Sequence, residues 1–168
     1  QNKKVLVIDL DPQGNATTGF GLSNINSKST IYEVLIGDKE FKDVIKKTSI
    51  NNLSIISSNV DLSGLEVETA GDSKRAFFLK EKLSYLLEAN EAQFSYVFID
   101  CPPSLSLLTV MALVASHSLI VPLQTEFFAL EGLTQLIKTI ERITESLNSN
   151  LNIRGILLTM FDKRNKLS

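Results

Sequence analysis

A chain of 168 residues suits one domain and buries roughly 70% of the surface its unfolded form would expose. Hydrophobic residues make up 43% of it, charged residues 21% and aromatics 7%; this excludes a disordered or fibrous chain, and the net charge of −2 leaves any nucleic-acid or membrane contact to a local patch. A single cysteine, Cys101, rules out an internal disulfide and points to a reducing compartment, while no apolar run approaches the ~20 residues of a membrane span.

Val5–Asp9 is a short, unbroken valine- and isoleucine-rich run and reads as a buried strand. Gly14, Gly19 and Gly21 follow among Asn15, Thr17 and Thr18, which predicts a turn and one helical turn. Thr30–Ile36 and Phe41–Lys47 read as short helices, the first stopped by Gly37. Leu53–Ser57 reads as a strand and Asn59–Thr69 as a short helix carrying Val60, Leu62, Leu65 and Val67. Ser73–Ala89 is a clearer helix, with Ala76, Leu79, Leu83, Leu86 and Leu87 on one stripe and Asp72 or Ser73 as its cap.

Tyr96–Asp100 reads as a second buried strand, ended by Pro102 and Pro103. Leu105–Ala115 is apolar on nearly every side and predicts a buried helix. Ser118–Leu123 reads as a strand stopped near Pro122, Phe127–Leu147 as the longest helix, and Ile153–Met160 as a last strand. Alternating strands and helices predict an α/β fold with a mostly parallel sheet covered on both faces, and residues 1–168 read as one domain.

Two of these strands run into aspartate. Asp9 and Asp11 lie two residues apart, so in extended backbone they share a face. Two carboxylates at one strand tip repel unless a cation, waters or backbone donors relieve them. Mg²⁺ suits such a place, because it takes one or two carboxylates and completes its shell with water and substrate phosphates. Asp100 ends the other strand and offers a further contact. The plainer alternative is that these acids only start turns. Three acids at two strand ends favour a ligand site, since α/β folds bind ligands at the carboxyl ends of their strands.

Other features carry less. Gly19-Phe20-Gly21 lacks the third glycine of a dinucleotide fingerprint. Cys101 reads as small apolar filler and His117, the one histidine, as a surface residue; one of each makes no zinc site. Lys138, Glu141 and Arg142 read as the solvated face of the long helix, and Lys163, Arg164 and Lys166 as a small basic cluster. No Gly-x-x-x-x-Gly-Lys-[Ser/Thr] phosphate loop occurs anywhere.

Val5–Gly21 (VLVIDLDPQGNATTGFG) resembles the segment after the first helix of ParA/Soj-type partition ATPases, the deviant Walker A group to which MinD is related. Asn59–Gly71, Tyr96–Leu108 (YVFIDCPPSLSLL), Val121–Leu136 and Gly155–Ser168 resemble later segments of that family in the same order. The resemblance implies a P-loop NTPase-like three-layer sandwich, incomplete because the P-loop strand and C-terminal elements are missing. It implies ATP and Mg²⁺ as cofactors. By position, Asp11 matches the acid that orients the attacking water, Asp9 an acid near the Mg²⁺ shell, and Asp100 the Walker B acid that holds Mg²⁺ through water. Gly14 and Asn15 match positions near the phosphates and the dimer face; Glu126 falls in a family marker without a chemical role assigned to it.

The same resemblance implies a cytoplasmic, nucleoid-associated ATPase that forms a homodimer with ATP, binds DNA non-specifically through regions mostly outside this chain, and is stimulated by a ParB-like partner, with no membrane contact. The chain starts at Gln1 without Met and both ends read as cut from a longer protein. Without the phosphate-loop lysines it is expected to be inactive alone, with a gap between strands whose free edges invite pairing. A truncated, non-catalytic binding or regulatory relative is the alternative. A MinD-like positioning ATPase is a further alternative, disfavoured by the DPQGN and EGL strings and by the lack of a basic amphipathic segment within these residues.

Overall fold

The computed structural model describes residues 2–22, 28–88, 94–124 and 129–160. It is an α/β protein with fifteen elements described, in which strand and helix alternate along much of the chain. Two compact units are distinguished, Gln1–Ala112 and Leu113–Ser168.

The first unit is built on a four-stranded sheet whose order is β2 (Ile45–Lys47), β3 (Leu53–Ile56), β1 (Val5–Asp9) and β4 (Tyr96–Asp100). Strand β1 (Val5–Asp9) lies between β3 (Leu53–Ile56) and β4 (Tyr96–Asp100) and is parallel to both. This central place explains its apolar composition: Leu6 and Ile8 are fully buried, as are Ile55 and Ile56 on β3. Helix α1 (Asn15–Gly19) follows β1 directly.

Helix α2 (Ile31–Ile36) shows why local sequence sets a boundary. The Thr30 hydroxyl accepts the Tyr32 N–H, the Glu33 carboxylate accepts both the N–H and the hydroxyl of Thr30, and Gly37 closes the helix at φ +90°. That is a capping box at one end and a left-handed glycine at the other. Its buried face of Ile31, Val34 and Leu35 enters the core.

The expected helix over Phe41–Lys47 is corrected. Helix α3 (Phe41–Val44) stops when Ile45 turns extended, at φ −66° and ψ 124°, and Ile45–Lys47 becomes β2, antiparallel to β3. Three residues with two lysines carry no strand periodicity to read; pairing with β3 decides their conformation. The Asn59–Thr69 segment divides into a 3₁₀ turn (Val60–Gly64) and α4 (Leu65–Glu68). Leu62 and Leu65 are buried there, while Val60 and Val67 are exposed. The next helix begins as a 3₁₀ turn at Arg75–Phe77 and continues as α5 (Phe78–Glu88), where Leu79, Leu83 and Leu86 are buried and Leu87 is exposed. The expected Asp72 or Ser73 cap is corrected: the N-cap position falls on Lys74, which has no side-chain cap, and Asp72 accepts the Lys74 N–H at 2.7 Å in a turn just ahead of it.

Strand β4 lies at a sheet edge. A buried strand is expected, yet Tyr96 and Phe98 remain 57% and 51% exposed. Among the described residues β4 pairs only with β1, so the composition of a buried strand sits on a sheet edge. Helix α6 (Leu107–Ala115) does bury Leu108, Met111, Ala112, Leu113 and Val114.

In the second unit β5 (Ser118–Gln124) runs parallel to β6 (Asn152–Thr159). The strand continues through Pro122 rather than stopping there, which an edge strand tolerates because proline lacks only an N–H. Helix α7 (Ala129–Ser146) buries Ile140 and Ile143 and exposes Lys138, Glu141 and Arg142. The buried Asn148 side-chain amide donates to the carbonyls of Leu113 and Ser116 at 2.9 and 2.7 Å and ties the end of α7 to the end of α6. Most of β6 is exposed, as are Tyr96, Phe98 and Asp100 of β4. Glu126 and the Lys163, Arg164 and Lys166 cluster lie outside the described residues.

Candidate functional site

Parallel pairing brings the aspartates together. In the β1–β4 ladder Asp9 sits opposite Asp100, and partners in a parallel ladder present their side chains to the same face. The Leu10 N–H donates to the Asp100 carbonyl at 2.7 Å and locks the two strand ends side by side.

The two carboxylates then meet different surroundings. Asp9 is fully buried. Its Oδ2 accepts the Thr17 N–H and the Thr17 hydroxyl, each at 2.7 Å, and its Oδ1 accepts the Asp11 N–H at 3.2 Å. A buried carboxylate is tolerable when so supplied with donors. Asp100 is exposed. Burial of its surroundings first, then the negative charges of Asp9 and Asp11, push its carboxyl above the ordinary carboxylate range.

Asp11 follows at the turn. Its Oδ1 accepts the Gln13 N–H at 2.9 Å, and its carbonyl accepts the Gly14 N–H at 2.9 Å and the Ser58 hydroxyl at 2.6 Å. Gly14 is buried in the left-handed region at φ +63°, which the turn into α1 requires. Asn15 opens α1 and is exposed. A shallow cavity of about 230 Å³ lies beside this turn, lined by Gln13, Gly14, Thr17, Ser57, Ser58 and Asn59 among others; none of the three aspartates lines it.

Beyond Asp100, the buried Thr109 hydroxyl on α6 reaches the carbonyls of Pro102 and Ser104 at 3.1 and 2.5 Å, which pins the loop after β4. Cys101 is partly buried; burial, then Asp100 and Asp11, raise its thiol to about 11, which disfavours the thiolate. His117 is exposed, and Gly21 has φ +77° in a plain turn after α1.

The acids fit a magnesium ion held by few protein groups. Among the described residues no three His, Cys, Asp or Glu side chains converge into a metal cage, and Mg²⁺ seldom uses one. Burial first, then the charges of Asp9 and Asp11, holds the Asp100 carboxyl above its ordinary range. The sequence pointed to the acids. It did not point to Thr17 or Ser58, whose hydroxyls take on a role only when β1 and the end of β3 are brought together.

Paired acids at the carboxyl ends of neighbouring parallel strands lie where open α/β sheets bind ligands, and residues 1–153 match a family model described as an AAA domain. The chain is 48% identical over 166 residues to the chromosome partitioning protein ParA of Caulobacter vibrioides, covering 99% of this chain and 61% of that protein. It is 44% identical to the sporulation initiation inhibitor protein Soj of Bacillus subtilis, covering 98% and 64%. A crystal structure of cobyrinic acid a,c-diamide synthase from Mycobacterium smegmatis with bound ADP and magnesium superposes with a TM-score of 0.90 at 36% identity, covering 98% of this chain and 65% of that one. The chain belongs to the ParA/Soj partition ATPase family. It spans about three-fifths of the length of the curated relatives it matches.

Proposed function

We propose that the protein carrying this chain is an ATP- and Mg²⁺-dependent partition ATPase, and that these residues form the metal-and-water side of its nucleotide site. The observation that carries the reading is the in-register pair Asp9–Asp100, with Asp11 two residues on. The magnesium and ADP bound to the M. smegmatis relative support it.

Phosphoryl transfer asks the protein mainly for positioning and charge stabilisation. When bound, Mg²⁺ would supply part of that charge stabilisation. Asp100, exposed at its strand tip, would hold the ion through water. Asp11 orients the attacking water: one of its carboxyl oxygens is spent on the Gln13 N–H, and the other has no protein donor among the described residues. Asp9 stands behind them, with both oxygens already accepting protein donors, and acts on the metal shell through the residues it fixes. Gly14 and Asn15 bring the turn close to the phosphates and to the face of an ATP-bound homodimer. Lysines of a phosphate loop are not among these residues, so the chain alone is expected to turn over little ATP. The whole protein is proposed to bind DNA non-specifically through other regions, to respond to a ParB-like partner, and to act in the cytoplasm on the nucleoid. Among the described residues no helix is long and apolar enough to cross a membrane.

The test is Asp11→Ala in the complete gene product. Hydrolysis is expected to fall at least about 100-fold, the scale of a lost positioned acid or base, with ATP binding retained. Hydrolysis at the wild-type rate removes Asp11 from the mechanism. Full turnover by residues 1–168 alone removes the account of where the phosphate is held.

A further inference from the structure

We infer that Thr17 is the positioning residue that sets Asp11 in its working orientation, through a closed ring of hydrogen bonds. The inference rests on the role proposed for Asp11. Thr17 Oγ1 carries one hydrogen, which it donates to Asp9 Oδ2 at 2.7 Å. The same oxygen accepts the Ser58 N–H at 3.0 Å. Ser58 in turn donates its hydroxyl to the Asp11 carbonyl at 2.6 Å, and the Asp11 N–H returns to Asp9 Oδ1 at 3.2 Å. The ring runs Asp9, Thr17, Ser58, Asp11 and back to Asp9.

Its consequence is local and specific. Asp11 is gripped at both ends of its own residue: the N–H by Asp9, and the carbonyl by Ser58 and by the Gly14 N–H. Only its side chain projects from the ring. Thr17 and Ser58 are 41 residues apart and Thr17 is 6% exposed, so the hydroxyl acts as a buried clip between the end of β3 and the first turn after β1. Neither hydrophobic packing nor helix propensity asks for a hydroxyl at that position. A valine of the same shape would leave the buried Ser58 N–H without an acceptor and remove one of the two Thr17 donors on Asp9. Displacement of a catalytic group by about 1 Å costs on the order of 100-fold in rate.

The experiment compares Thr17→Val, Thr17→Ser and Ser58→Ala in the complete gene product, measuring ATP affinity and kcat separately. Thr17→Val is expected to lower kcat at least about 10-fold with the Kd for ATP unchanged, and Thr17→Ser, which keeps the hydroxyl, to restore kcat to within a few-fold of wild type. A wild-type kcat in Thr17→Val overturns the inference, and so does a serine variant as slow as the valine one, which would make the methyl contact the reason. Should Thr17→Val fail to fold, Ser58→Ala decides: a several-fold lower kcat at unchanged affinity supports the ring, and an unchanged kcat overturns it. Failure of Asp11→Ala to slow hydrolysis brings down the underlying reading instead, and the two outcomes are separable because each is read from its own variant.

Discussion

Strands β1 and β4 are neighbours, parallel, equally long and both tipped by aspartate, yet they live in different environments. β1 has a partner on each side, with Leu6 and Ile8 at zero exposure and its terminal Asp9 sealed behind three donors. β4 has β1 on one side, leaves the Tyr96 and Phe98 rings open on one face with centroids 6.4 Å apart, and ends in an exposed Asp100. The difference teaches that an acid at a strand tip is not one kind of residue. The acid on the enclosed strand holds the turn together, and the acid on the open strand is available to a ligand.

The strongest way to break this comparison is to remove each acid in turn and follow denaturant unfolding. Asp9→Ala orphans the Thr17 N–H, the Thr17 hydroxyl and the Asp11 N–H. At ~1–3 kcal/mol for each buried donor left unpaired, a loss of about 4 kcal/mol is expected, enough to unfold a marginal domain. Asp100→Ala is expected to change stability by less than about 0.5 kcal/mol, as surface substitutions do. Equal effects would mean that the two tips are equivalent after all.

A second contrast uses the apolar residues of the same strands. Ile8→Ala opens a cavity in a filled core and should cost about 3 kcal/mol. Phe98→Ala removes a larger side chain that is half exposed, and about 1 kcal/mol or less is expected from the area it buries. If Phe98→Ala proved the more costly, the ring would be covered in solution and β4 would be an interior strand like β1.

Both the success and the failure of the sequence reading follow from this. β1, α2 and α6 were legible because their signals are local: an unbroken apolar run, a short run stopped by Gly37, and a helix apolar all round; the Thr30–Glu33 capping box of α2 went unread. β4 was legible as a strand, but its exposure was not, because burial depends on what lies beside it. β2 was illegible, since Ile45-Lys46-Lys47 is strand only through its ladder to β3. At the site, Asp9, Asp11 and Asp100 stood out as acids at strand ends. Thr17 and Ser58 did not, because an ordinary threonine beside another threonine and an ordinary serine beside another serine acquire their roles only across 41 residues of sequence.

The smallest expected effect is also the most diagnostic of what the open tip is for. Asp100 has a raised carboxyl, through burial and then Asp9 and Asp11, so the folded state holds its proton more firmly than the unfolded chain does. Between the ordinary carboxylate value of about 3.9 and the raised folded value, the folded form binds more protons, and stability therefore falls as pH rises through that window. Above it, the cost of the charged carboxylate is constant. Asp100→Asn removes the titration, so the variant should be slightly more stable than wild type at neutral pH, and the advantage should vanish below pH ~4. Thermal unfolding of the two proteins between pH 3 and 8 checks it. A carboxylate whose charge the fold resists adds nothing to stability at neutral pH. An Asp100→Asn variant less stable than wild type at neutral pH would reverse that conclusion and make Asp100 a structural acid like Asp9.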